Sequence, residues 1–205
     1  MKEYPKVFPD EMVRAILANK KTMARRVCKV QPTFDNPKLI TCISDNKREE
    51  GKHKWAVVDE SKGYPDIKES SKYFSHPYNV DDIIWVKEEF FLQWSDHLTP
   101  FYRADERDFL PVYCEWLPAN FMPRWASRID LEVTEIRVEQ LQEITEEDCL
   151  REGITRQLAS SMGIAVSPFQ IKDTFKNFWN STKGKKHPWE SNPWVWVITF
   201  KRRFK

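Results

Sequence analysis

The run Trp194-Val195-Trp196-Val197-Ile198-Thr199-Phe200 constrains this chain more than any other segment. Aromatic and β-branched residues follow one another with little polar alternation, the pattern of a strand apolar on both faces. A second strand signal is Asp82-Ile83-Ile84-Trp85-Val86-Lys87-Glu88. A third runs through Ile129, Leu131 and Val133, after which Ile136 and Val138 alternate out of phase, as a bulge near Thr134 would produce. Tyr102-Arg103-Ala104-Asp105 reads as a further short strand. Helical period is rarer. Pro9-Asp10 opens a helix whose Met12, Val13, Ile16 and Leu17 share one face, and Asn19 is placed to end it in the left-handed conformation. Residues 20–27 read as a turn running into a strand. Thr145-Glu146-Glu147-Asp148 is a capping-box-like start with Gly153 as the stop, and Ser167-Pro168 starts a helix with a buried stripe of Phe175, Phe178 and Trp179. Strands outnumber helices and lack βαβ rhythm. A small barrel or a mixed α+β fold is therefore expected rather than a doubly wound sheet.

Residues 31–78 differ in texture, with scattered Pro and many Lys, Asp and Ser. Leu39–Ile43 and Lys54–Val58 are strand candidates for a hairpin with a long polar connection. Too few apolar residues lie here for a separate core, so the segment reads as a polar surface insertion within a single domain spanning 1–205. A chain of 205 residues suits one domain.

With only 5 Gly against 13 Pro and 9 Trp, a Gly-rich phosphate-cradling loop is not expected. A 14% aromatic content excludes a disordered chain despite 31% charged residues. A net charge of +2 recruits no nucleic acid by its global field, so any such role rests on local patches. No stretch approaches the ~20 apolar residues of a membrane helix, so no membrane partner is expected. The N-terminus lacks an apolar signal core. Cys28, Cys42, Cys114 and Cys149 form no C-x-x-C pair and read as free thiols of a reducing cytosol, which makes the expected location cytoplasmic. His53, His76, His97 and His187 are isolated from one another, so neither a metal nor another cofactor is expected. Ser95-Asp96-His97 has the letters of a triad, but adjacency does not make its hydrogen-bond chain, and a polar loop is the simpler reading. No G-x-S-x-G, P-loop or dinucleotide fingerprint is present.

Three constellations remain. Lys20, Lys21, Arg25 and Arg26 place four cations within seven residues at a helix-to-strand junction, suited to an anion, or to a lysine of lowered pKa acting as base or nucleophile. A solvated basic turn accounts for the same residues. Asp148 and Glu152 share one face of a short helix, and Glu152 sits at the end where the helix dipole disfavours a carboxylate. Glu146 and Glu147 read as first-turn residues that compensate that dipole. Met122-Pro123-Arg124-Trp125-Ala126-Ser127-Arg128 offers a stacking plane, a hydroxyl and cations, a mix that suits a base, a sugar and a phosphate. Equally, Trp125 could be core, with Arg124 and Arg128 paired to acids. Lys183–Lys186 and the tail Lys201–Lys205 read as solubilising charge.

The order of these pieces resembles the ASCH domain family of the PUA-like superfamily, in its longer phage and prophage form. Ile16-Leu17-Ala18-Asn19-Lys20-Lys21-Thr22-Met23-Ala24-Arg25-Arg26 is similar to that family's I-L-A-G-x-K-T-x-T-x-R motif, and Asp82–Glu88 to its G-D-x-x-W-V-R-E strand. Tyr102–Asp105, Met122–Arg128 and Asn192–Val197 are similar to further signatures. The resemblance implies an α+β fold, a PUA-like small β-barrel with flanking helices, that binds RNA or a modified nucleoside. On this reading Trp125 stacks on the base, Lys21, Arg26 and Arg128 hold phosphate or carbonyl oxygens, Glu88 or Glu152 accepts from an exocyclic amine, and Arg25, Arg124 and Ser127 are further ligand-binding residues. The alternative it implies is an amidohydrolase of N4-acylated cytidine, with Lys21 as base, Glu152 as proton donor, and Thr22, Ser127 or water attacking. A ribonuclease is a further possibility. The family's threonine position is Ala24 here, and its glycine before the motif lysines is Asn19.

Overall fold

A strand apolar on both faces belongs at the centre of a sheet, and the Trp194–Phe200 run takes that place. In the computed structural model it forms most of β10 (Trp194–Arg203), paired antiparallel with β9 (Asp130–Gln140) on one side and β2 (Met23–Val27) on the other. The structure describes residues 1–34, 36–41, 49, 51–59, 66–69, 72–93, 99–105, 115–155, 160, 163 and 171–203. Beyond β9 lies β6 (Ile83–Lys87), antiparallel to it, and then β1 (Glu3–Val7), parallel to β6. The order is β1-β6-β9-β10-β2. The register passes from Thr199 opposite Glu135 to Phe200 opposite Val133, so Thr134 is the extra residue of the expected bulge.

The core lies under this sheet. Val195, Val197, Leu131, Val133, Ile84 and Val86 are buried with Met12, Val13 and Ile16 of α1 (Asp10–Leu17). Two further helices, α2 (Glu146–Arg151) and α3 (Ile171–Lys183), pack on each other, and Phe175 and Trp179 of α3 join the same core. Among the described residues no helix is long and apolar enough to cross a membrane. Cys28 and Cys149 are free and buried, and burial pushes both thiols up to about 12. Cys42 and Cys114 lie outside the described residues, as do Ser95-Asp96-His97 and the Ser167-Pro168 helix start.

The sheet does not close into a barrel: among the described residues β1 and β2 remain its two edges. Residues of both edges nevertheless line one cavity, so the sheet curls until its margins face each other across a slot. Side chains hold the slot open. The Arg26 guanidinium of β2 stands 5.1 Å over the Tyr78 ring, which meets the Tyr4 ring of β1 edge-on at 5.2 Å. Backbones separated by that stack are kept from the ~4.8 Å spacing of a ladder. The edge position also explains how β1 tolerates Pro5, which has no N–H to donate.

Residues 31–78 hold a three-stranded sheet, β3 (Lys38–Thr41), β4 (His53–Asp59) and β5 (Asp66–Glu69), one strand more than the expected hairpin. Among its described residues the segment has no core of its own. Trp55, Phe74 and Tyr78 pack into the main one, and Trp55 donates to Val30 O at 2.7 Å. The strand expected over Tyr102–Asp105 is displaced. β8 (Pro100–Tyr102) pairs with β7 (Phe90–Leu92), and Arg103–Asp105 turns into a 3-10 helix. That turn delivers Asp105 to Arg128, an ion pair of 2.6 Å that an extended continuation would forgo.

Candidate functional site

The site grows from the end of α1. Asn19 adopts φ +55, and the amides of Lys20 and Lys21 both donate back to Ala15 O, which closes the helix and turns the chain into β2. The Thr22 amide then donates to Arg151 O, and Lys21 forms an isolated bridge with Glu152, so the motif turn is tied to the end of α2. Gly153 makes that approach possible. It sits at φ +82, and a Cβ there would lie 3.0 Å from Lys21 Cβ and 3.3 Å from Ala15 Cβ.

The contact buries Lys21 and Glu152, each about 5% exposed. Lys21 Nζ donates to Glu152 Oε2 at 3.0 Å, to Glu152 O at 2.7 Å and to Met23 O at 2.9 Å, engaging all three ammonium hydrogens. Arg25, four residues after Lys21 and within β2, donates to Glu152 Oε1 at 3.2 Å, Asp148 Oδ2 at 2.8 Å and Glu139 Oε1 at 2.6 Å. Asp148 and Glu152 share a helix face as their spacing requires, and Arg25 reads both. Arg137 supports the far side, 2.7 Å from Asp148 and 3.2 Å from Glu139. Arg25 thus has a role its sequence position does not reveal. Its fork is taken by three carboxylates, which makes it a positioning residue for Glu152.

Above the pair opens a cavity of about 570 Å³, within the range of roughly 300–1,000 Å³ of small-molecule sites. β1 contributes Lys6, α1 and its approach Phe8 and Met12, β2 Arg25 and Arg26, and α3 Phe175, Phe178, Trp179 and Lys183. Lys183 Nζ donates to Arg25 O at 2.8 Å and lies 4.5 Å from the Trp179 ring centroid. Lys6 and Lys183 are each lowered to about 8. Burial is the main cause for both. Arg26, Lys183 and Lys21 add repulsion at Lys6, while at Lys183 the attraction of Glu152 opposes the effects of burial and of repulsion from Lys21 and Arg26.

Of the residues singled out in the sequence, Lys21, Arg25, Arg26 and Glu152 come together at this cavity, and the others do not. Thr22 is adjacent, but its Oγ1 accepts from Arg151 Nε at 3.4 Å and does not line the cavity. Ser127 is buried with Oγ donating to Val86 O. Arg124 is paired with Glu3 and Asp130, and Arg128 with Glu88 and Asp105. Trp125 is neither core nor cavity wall, being 57% exposed. Lys183, read as solubilising charge, is a wall residue, because Phe175, Trp179 and Lys183 recur at four-residue spacing on one face of α3. Lys6 and Phe178 were also missed as site residues. Lys6 alternates with Pro5 and Val7 to share a side of β1 with Tyr4, but β1 has no apolar run to announce it.

Comparison of the chain with protein-family models, curated proteins and solved structures finds no match.

Proposed function

We propose that the cavity captures a nucleobase-bearing ligand, a modified nucleoside free or within RNA, as the resemblance to PUA-like ASCH proteins implies. The observation that carries this reading is a carboxylate fixed in an aromatic-walled cavity. Lys21 and Arg25 each take one lone-pair site of Glu152, and a carboxylate offers about four. The remaining sites can accept from an exocyclic amine, as carboxylates do from cytosine. Phe178, half-buried on α3, supplies an apolar face for stacking in place of Trp125, which does not line the cavity. A sheet curled around a slot, with α2 and α3 beside it, agrees with a PUA-like ancestry.

The test is calorimetric titration with cytidine, N4-acetylcytidine, uridine and adenosine. A nucleoside bearing an exocyclic amine should bind, and Glu152→Gln should weaken it about tenfold or more, since one hydrogen bond to a charged group is worth ~1.5–3 kcal/mol. Absence of binding across the panel, or equal binding by a folded Glu152→Gln, would overturn the reading.

Amide hydrolysis is a second reading, favoured by the direct contact of Lys21 with Glu152. Lys21 has no lone pair to offer while its three hydrogens are donated. The hydroxyl on the cavity wall, Thr182, donates within its own helix to Phe178 O at 2.9 Å. A hydrolase built this way would use water as its nucleophile. Mass-spectrometric detection of cytidine released from N4-acetylcytidine by the wild type and not by Lys21→Ala would establish it, and no turnover by folded wild type would remove it.

A further inference from the structure

The cavity holds more positive charge than its carboxylate balances. Lys21, Arg25 and Arg137 are matched by Glu152, Asp148 and Glu139. Lys6, Arg26 and Lys183 have no carboxylate ion pair among the described residues, although all three line the same cavity and all are half-buried. They come from three elements, β1, β2 and α3, and converge on the slot between the two sheet edges. We infer that Lys6, Arg26 and Lys183 form the seat of a phosphoryl group, so that the ligand is a nucleotide rather than a neutral nucleoside. The identity of the base it carries rests on the reading above.

Like charges gathered out of water raise one another's energy unless an anion joins them. The two lysines register this strain. Each is held near 8 by burial and by neighbouring cations, with Arg26 and Lys21 acting on both. Glu152 faces them and is already engaged on both oxygens. A phosphate monoester supplies about −1.5 to −2 charges and three strong acceptor oxygens. Arg26 can present a planar fork and the lysines point charges to such a group. Arg26 also borders a second cleft, lined by Lys29, Lys52 and Trp196, into which a chain continuing from the seat would pass. A terminal monoester and a backbone diester are thus the two sources of one phosphoryl chemistry.

The test begins with inorganic phosphate added to protein carrying carbon-13 at the lysine ε positions. Saturable shifts of two lysine signals, assigned with Lys6→Met and Lys183→Met, are expected, and no phosphate-dependent shift of these signals overturns the seat. Calorimetry at pH 7 then compares cytidine, cytidine 5′-monophosphate and a cytidine dinucleotide. The monophosphate should bind about 100-fold more tightly than cytidine, two charge-assisted contacts at roughly tenfold each. This advantage should fall to about tenfold or less in Lys6→Met/Lys183→Met, where Arg26 alone remains, return in Lys6→Arg/Lys183→Arg, and shrink in the wild type between pH 7 and 9.5 as the lysines lose their protons. A folded double-Met variant that keeps the advantage overturns the proposal, as does a monophosphate and dinucleotide no tighter than cytidine. A dinucleotide tighter than the monophosphate supports the seat with a backbone diester as its source. Lysine shifts with inorganic phosphate, without binding of any nucleoside or nucleotide, support the anion seat and remove the nucleoside reading instead.

Discussion

The cavity and the turn at residues 124–128 are built from the same materials, arginines, a buried glutamate and aromatic rings, yet they differ in two respects. In the turn every charge is answered. Arg128 grips Glu88 with two donors at 2.9 and 3.0 Å, reaches Asp105, and stacks 3.9 Å from the Tyr102 ring centroid. Arg124 holds Glu3 and Asp130, and the Ser127 hydroxyl ends on a backbone carbonyl. At the cavity the carboxylates are equally well held, but three more cations gather around an open volume. Residue type does not separate the two regions. A surplus of charge beside a void does, because only there does the fold leave work for a ligand.

The largest expected effect tests this contrast at its two arginines. Arg25→Met leaves Glu139, Asp148 and Glu152 with Arg137, Lys21 and the more distant Arg151, and should cost about 3 kcal/mol in urea denaturation, as breaking a buried ion-pair network does. It should also weaken nucleoside binding by releasing Glu152. Arg128→Met should cost less, about 2 kcal/mol, because Glu88 can take up a proton. Burial already raises the Glu88 pKa, with Asp105 and Asp10 adding to burial against the opposing Arg128. Nucleoside binding should be untouched by the second change. An Arg128 variant that binds more weakly would place the turn in the site and break the comparison.

Gly153→Ala comes next. A left-handed φ costs an L-residue roughly 1–2 kcal/mol, and the new methyl meets two Cβ atoms, neither a flexible side-chain end. The end of α2 must move off Lys21, so stability should fall by about 2 kcal/mol and nucleoside affinity with it. Thermal melts and the same titrations check both. Unchanged binding at reduced stability would mean that the Lys21–Glu152 contact is only structural.

Much of the frame was legible in the sequence, for identifiable reasons. The β10 run, the β9 bulge at Thr134 and the Asn19 stop each follow from local backbone chemistry, which sequence carries directly. Lys21 and Glu152 were legible as separate candidates, and Glu152 drew notice by standing against its helix dipole. What brings them together is not local. Lys6 enters through an edge strand with a proline and no apolar run, and it pairs with a strand about 80 residues away. Lys183 looked like solvated charge because its neighbours Lys185 and Lys186 are exposed, although helical period puts it beneath Trp179. The Met122–Arg128 segment misled in the opposite direction, since its partners Glu3, Glu88, Asp105 and Asp130 are scattered along the chain. The open slot in place of a closed barrel depends on the stack of Arg26, Tyr78 and Tyr4, which spans three separate segments.

The smallest effect concerns stability against pH in the absence of ligand. Lys6 and Lys183 have folded-state pKa values of about 8, below the ordinary 10.5 that they recover on unfolding. The unfolded chain therefore binds more protons between those values, and stability gains from these groups as pH rises from about 8 toward 10.5, while below 8 the penalty is present in full. Solvent screening at half-buried side chains trims the gain to about 1 kcal/mol. The raw curve also contains an opposing trend. Buried Cys28 and Cys149 stay protonated to about 12 when folded but ionise near 9 when unfolded, which lowers stability over the upper part of the same range. The difference between the wild type and Lys6→Met/Lys183→Met cancels that background. The double variant should be the more stable protein at pH 7, and the gap should narrow by pH 10. A gap that stays constant with pH would show that the two lysines are charged at no cost in the folded protein, and the cavity would then be no more strained than the turn.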